Sequence, residues 1–350
     1  MSDTKPETQN ADTITGGASF GSRVKAHFRK WWWIYVIVFI IVVLVVVLPV
    51  VYVGYPRIAQ HDVNESSLEV ISLSFTNPRP NAVHANQTQR LTNKSKYHPK
   101  IYSFNNTISL LTGEDDSPNP EPITWAIVPE FQANDGELII VDTDLQLDNI
   151  DAATKFTGTA LSQDEFQLRL YGKPDLKQGG LPKINVEFNK TATIKGLNGL
   201  QGLEIRDVNI MIVPDDEGNN MNGSVVIPNP GHLTIEMGNV TLDVSVDGHH
   251  IGQSFLRDLV IRPGENIVPL TSAMNQTYVI GLLSGDDAPY RDGVLPLEIR
   301  GNRSEYNGEV IPYYTRALAA TTLHTSLNLT EPLEKSGLAD LLLGGGDDGN

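Results

Sequence analysis

The chain has 350 residues, with 42 Asp/Glu against 26 Lys/Arg and a formal net charge of −16, which excludes nucleic acid or an anionic lipid face as its general electrostatic partner. It contains no cysteine, so disulfides, thiol redox chemistry and thiolate metal sites are excluded as well. The charge is split: residues 1–30 carry five basic and three acidic residues, net +2, and the remainder is net −18.

Residues 1–30 are polar at first and hold too few apolar side chains to bury a core, so they read as a disordered tail. Gly17-Ala18-Ser19-Phe20-Gly21 matches G-x-S-x-G, but a nucleophile elbow needs a strand before it and a helix after it, and this one lies in a polar tail. Trp31 to Val53, residues 31–53, form a run of 23 residues without a charged or amide side chain. As a helix rising about 1.5 Å per residue it spans roughly 34 Å, enough to cross a hydrocarbon core of about 30 Å. In lipid every backbone N–H and C=O needs a partner within the segment, so this valine- and isoleucine-rich run is expected to be helical, with Pro49 kinking its last turns. The run exceeds a signal-peptide core and no small-x-small cleavage site follows it, which predicts a retained signal anchor. Arg23, Lys25, Arg29 and Lys30 precede it and only Arg57 follows closely, so the N-terminus is expected in the cytosol and residues 54–350 in a lumen.

Ten N-x-Ser/Thr triplets begin at Asn64, Asn86, Asn93, Asn105, Asn189, Asn222, Asn239, Asn275, Asn302 and Asn328. All lie beyond the span, as expected of a glycosylated lumenal region.

Beyond the span, short alternating segments are separated by Gly, Pro, Asn and Asp. Strands are expected over 68–75, 100–111, 124–128, 136–147, 166–171 and 183–188, with one helix-forming stretch within 152–170 whose end reads better as a strand. A second cycle begins near Leu203, with strands over 203–213, 224–227, 239–246, 255–261, 267–270, 295–299 and 323–329. The cycles parallel one another: FTNPRP at 75–80 answers IPNPGH at 227–232, and FQLRLYGK at 166–173 answers LPLEIRGN at 295–302. The expected fold is mainly β, two tandem β-sandwiches over 54–202 and 203–350 following one transmembrane helix.

The blocks GLNGLQGLEI at 196–205, VVIPNPGHLTIEMGNVTLDVSVDGHHIGQ at 225–253 and LVIRPGENIVPL at 259–270 resemble a fungal family of single-pass membrane proteins whose lumenal region is a domain of unknown function. That resemblance implies the membrane of the fungal vacuole, with the plasma membrane and endoplasmic reticulum as alternatives. Each cycle is also similar to the group 2 late embryogenesis abundant domain, a seven-stranded sandwich like fibronectin type III. Such sandwiches host unrelated roles, so the resemblance implies fold and not activity.

Chemistry is sparse. His249 and His250 are adjacent, and neighbours in a strand point to opposite faces, so a surface pair is expected and not a metal grip. Asp142 and Asp144 share one strand face near Asp148 and offer oxygens to a cation, against a solvated face as the plainer reading. Asp215 to Asn220 lacks the spacing of a calcium loop and reads as a turn. Asp286-Asp287 and Asp347-Asp348 read the same way, and Leu338 to Leu343 offer a short apolar docking segment. No catalytic residue, cofactor or metal is expected. The leading expectation is a non-enzymatic interaction or scaffold module with an unknown lumenal protein partner. Binding of lipid or another hydrophobic ligand is the alternative, and a hydrolase comes last because no paired carboxylates stand out.

Overall fold

A computed structural model of the chain describes residues 20–111, 120–285 and 287–339. It divides into two units, residues 1–57 and residues 58–350.

In the first unit, helix α1 runs over Phe20–Pro49 and passes into a π-helical stretch, Val50–Gly54. Proline has no N–H to donate and its ring crowds the carbonyl four residues back, and the ladder widens immediately after Pro49. Helix α2, Tyr55–Glu65, follows. One helix, counted from Lys30 to Glu65, is long and apolar enough to cross a membrane, and the large apolar side chains of residues 36–48 are exposed. The β-branched run is thus helical, as the demand for internal backbone hydrogen bonds requires.

The second unit is mainly β. Seven strands make its first half: β1 (Ser67–Arg79), β2 (Ala82–Thr92), β3 (Phe104–Leu111), β4 (Pro122–Val128), β5 (Leu138–Gln146), β6 (Glu165–Gly172) and β7 (Phe188–Lys195). They lie in the order β1-β2-β5 and β4-β3-β6-β7, and helix α3 (Ile150–Ser162) connects β5 to β6. Four two- or three-residue strands, Lys100–Ile101, Phe131–Gln132, Asp175–Lys177 and Ile184–Asn185, form a small sheet of their own.

Seven strands also make the second half: β8 (Glu204–Ile210), β9 (Met221–Asn229), β10 (Leu233–Val246), β11 (His249–Ile261), β12 (Gly264–Met274), β13 (Val294–Tyr306) and β14 (Thr322–Asn328). Their hydrogen-bonded order is β8-β9-β12-β11-β10-β13-β14. Adding seven to each strand number of the first half reproduces that order, with antiparallel neighbours throughout and helix α4 (Gln276–Leu283) in the place of α3. The repeat is therefore one of topology. Of the two sequence parallels, FQLRLYGK and LPLEIRGN fall on equivalent strands, β6 and β13. FTNPRP and IPNPGH do not, since they end β1 and β9.

The two halves share a sheet. Leu73, Ser74 and Phe75 of β1 pair in parallel with Leu233, Thr234 and Ile235 of β10, so one sheet of eleven strands, β1, β2, β5, β8 to β14 and the two-residue strand Glu309–Val310 beside β13, runs through both halves. Helix α5 (Pro312–Ala320), from the second half, packs on α3, and its Tyr313 hydroxyl donates to the Ala82 carbonyl across 3.3 Å. Helix α6 (Thr330–Lys335) closes the described chain beside β8.

Candidate functional site

The second sandwich holds a cavity of about 190 Å³ at the end where β12 passes into α4. Met221 of β9, Ile251 of β11, Met274 of β12, Leu295 and Leu297 of β13, and Leu327 of β14 form its walls, while α4 covers it with Val279, Ile280 and Leu283. Along β13 burial alternates, so Leu295 and Leu297 share the face that supplies the lining. The Asn275 side chain accepts from the Tyr278 N–H at 3.1 Å and caps α4, which fixes the start of that helix over the cavity.

Two amides line this space, and both are engaged with backbone. Asn220 donates to the Met274 carbonyl at 2.7 Å and accepts from the Met274 N–H at 2.9 Å, and Gln276 donates to the Met211 carbonyl at 2.8 Å. What remains for a ligand is aliphatic and thioether surface, the surface of a dry cavity that takes hydrocarbon. Ile212 and Ile280 of this lining are exposed at 66% and 40%, so apolar surface reaches the mouth, beside Val213 at 78%. Met221, Met274 and Leu297 are shared with a second apolar cavity of about 60 Å³ deeper in the sandwich, so two flexible methionines stand in the partition.

The residues singled out from sequence fall elsewhere. Asp142 and Asp144 share the outward face of β5, as expected, and the groups beside them belong to the protein. His84 of β2 faces both, Nε2 at 2.9 Å from Asp142 and Nδ1 at 2.9 Å from Asp144, and Arg79 reaches Asp144 at 2.5 Å. The Arg79 hydrogen bond, followed by that of His84, holds the Asp144 carboxyl below its ordinary value. Asp148 takes no part in these pairs. Among the described residues no group of three or more His, Asp or Glu is arranged to hold a metal ion.

His249 and His250 open β11 after the Asp247-Gly248 turn, both exposed, His249 beside the Tyr278 ring and His250 3.6 Å from Asp243. Asp215 accepts from the Glu217 and Asn219 N–H groups and from the Asn219 amide, which makes 215–219 a turn closed on itself. Leu338 lines the large cavity. Residues 17–19 of the G-x-S-x-G match, Asp286, residues 340–343 and Asp347-Asp348 lie outside the described residues.

Of the ten glycosylation triplets, Asn64, Asn105, Asn189, Asn239, Asn275, Asn302 and Asn328 are exposed, and Asn86 and Asn222 are half-buried. Asn93 is buried, and its amide donates to the Ala133 carbonyl at 2.6 Å and to the Tyr97 carbonyl at 3.2 Å.

Sequence reasoning missed the cavity itself, because its walls come from α4 and six strands, Ile210 of β8 adding to the five named above, spread over more than a hundred residues. The signal within reach was the pair Met221 and Met274, two of only five methionines in the chain.

A search of curated proteins gives no match. Among solved structures, a bacterial adhesin from Mobiluncus mulieris containing disulfide, isopeptide and ester cross-links aligns over 67% of this chain and 81% of its own, at 11% identity and a TM-score of 0.18. The sporulation control protein Spo0M from Bacillus subtilis aligns over 79% of this chain and 96% of its own, at 10% identity and a TM-score of 0.17. At such scores neither bears on fold or function. Residues 121–244, from the start of β4 to the end of β10, match a family described as a protein of unknown function, DUF3712.

Proposed function

We propose that the chain is a single-pass membrane protein that performs no catalysis and binds the aliphatic chain of a lipid or a similar hydrophobic ligand in its second sandwich. The observation that carries this reading is the cavity of about 190 Å³ whose lining is aliphatic and whose two amides are already bonded to backbone. It exceeds the ~150 Å³ of an engineered apolar cavity that stays dry and takes up small hydrocarbons. The basic residues Arg23, Lys25, Arg29 and Lys30 support a cytosolic N-terminus, and the exposed triplets beyond the span support a glycosylated lumenal domain. In keeping with the sequence blocks at 196–205, 225–253 and 259–270, the membrane is that of a fungal-type vacuole.

A second reading, a scaffold for a lumenal protein partner, is favoured by the exposed apolar side chains Trp125 and Ile127 of β4 and Leu138 and Ile140 of β5.

The test is native mass spectrometry of the full-length protein released from nanodiscs. A stoichiometric lipid is expected with the wild type and its loss with Val279→Trp, which fills the cavity from α4, while the melting transition is retained. A wild-type protein free of lipid and accompanied by a defined polypeptide would replace this reading with the scaffold.

A further inference from the structure

The first sandwich differs from the second in how two equivalent strands meet. In the second, β11 and β12 are joined by a five-rung ladder from Gly252↔Met274 to Leu256↔Leu270. The equivalent strands β4 and β5 lie side by side without a ladder, and the bond from the Thr124 hydroxyl to the Gln146 carbonyl, 2.7 Å, crosses between them at one end. Parting β4 from β5 breaks no rung. Trp125 and Ile127 of β4 turn exposed apolar side chains outward beside this seam.

Behind the seam lie two cavities, of about 60 and 20 Å³, that share Gln87, Ile108, Ala126, Val141 and Leu170 in their walls, with Gln89 in the smaller one alone. The larger is lined almost wholly by apolar groups. The smaller contains Asn106 of β3, which is 4% exposed and whose Oδ1 has no hydrogen-bond partner. A buried acceptor without a donor is unfavourable, and neither hydrocarbon nor an ether satisfies it, whereas a hydroxyl does. The small cavity exceeds the ~10–15 Å³ that a water-sized group requires.

We propose that the first sandwich is a second site, entered between β4 and β5, for an apolar molecule bearing a hydroxyl group that donates to Asn106 Oδ1. The hydroxyl end sits in the small cavity and the apolar body passes through the larger one to the exposed side chains of the seam. This site does not depend on the cavity of the second sandwich.

The test uses the full-length protein in nanodiscs with two photoreactive probes, a diazirine-bearing long-chain alcohol and its methyl ether, and maps the labelled peptides. The alcohol is expected to label peptides containing Ile108, Ala126 or Val141 at least about fivefold more than the ether, the discrimination of one buried hydrogen bond. Asn106→Leu is expected to abolish that preference, and Ala126→Phe to exclude both probes. If Ala126→Phe does not fold, the alcohol-to-ether ratio in Asn106→Leu still decides. Equal labelling by alcohol and ether in the wild type overturns the proposal. So does an unlabelled first sandwich, the outcome if a single water satisfies Asn106 or if a peptide strand occupies the seam. Labelling near Val279 or Leu297 reports on the second sandwich separately, so the two sites can fail independently.

Discussion

Asn93 and Asn229 hold the same pair of backbone groups in the two sandwiches. Each follows or ends the second strand of its half, each is buried, and each side-chain oxygen accepts from the N–H two residues on, Ser95 in one case and Gly231 in the other, both at 3.0 Å. Each amide donates to the carbonyl four residues on, Tyr97 at 3.2 Å and Leu233 at 2.7 Å. Replacing either asparagine by alanine leaves buried backbone groups without partners, at a cost of about 2 kcal/mol. Asn93→Ala and Asn229→Ala are therefore each expected to lower the denaturant midpoint of the full-length protein, and an unchanged midpoint in either would remove that residue from the role.

This pair also marks where sequence stopped being a guide. Asn229 is followed by Pro230, and the matching Asn77-Pro78 suggested that β1 was its counterpart, whereas the equivalent Asn93 is followed by lysine. Strand β2 was hidden because the inward-facing Gln87 and Gln89 break the apolar alternation. With β2 unseen, His84 was not available as a partner, so the shared face of Asp142 and Asp144 was legible and its hydrogen-bonding partner was not. The strands β6 and β13 were read correctly because their inward positions are aliphatic and both motifs carry glycine. Helix α5 starts with Pro312 in its first turn, a usable start signal, but its burial against α3 is a tertiary fact.

The glycines of those two motifs have a common reason. A Cβ on Gly172 would lie 2.6 Å from the Phe104 ring, and one on Gly301 would lie 2.3 Å from the Leu318 side chain. Overpacking of this kind costs typically 1–3 kcal/mol. Gly172→Ala and Gly301→Ala are expected to lower the melting temperature, and the first should be partly rescued by Phe104→Leu, which removes the opposing ring. A stable Gly172→Ala single variant would show that the sheet gives way there.

Asp144 provides a pH dependence with a defined sign. Its hydrogen bonds to Arg79 and His84 hold the folded-state pKa below the ordinary value of 3.8, so its contribution is complete above that value and is lost as pH falls through the lower folded one. Asp144→Asn should melt below the wild type at pH 7, and the gap should close as the pH is taken below 3.8. A gap that persists unchanged in acid would mean that the asparagine acts through packing and not through charge.

Glycan placement follows from the burial of Asn93. A glycan there would break the amide bonds to Ala133 and Tyr97, so folded protein is expected to carry none at that position. Endoglycosidase treatment should still shift the native protein through exposed triplets such as Asn105 or Asn239. Glycopeptide mapping that finds Asn93 modified in folded material would contradict the structure, and an unshifted protein would overturn a lumenal assignment for residues 54–350.

Lys190 ties β7 to the end of α2. Its ammonium donates to the carbonyls of Val63, Asn64 and Ser66, the groups that a helix leaves unpaired where it stops, while Gln60 exchanges two hydrogen bonds with the Glu187 backbone at 2.7 and 2.8 Å. Burial pushes the Lys190 pKa below its ordinary value of 10.5, so the unfolded chain holds that proton more tightly than the fold does. Stability should therefore rise with pH between the folded value and 10.5 through this group, and Lys190→Met should lack that rise. At neutral pH the same variant loses the cap on α2, a destabilisation of about 1–3 kcal/mol. Hydrogen exchange then locates the effect: amides of residues 58–66 should exchange faster in Lys190→Met while those of β11 and β12 do not, and uniform acceleration over residues 58–350 would assign Lys190 to global stability instead of the α2 junction.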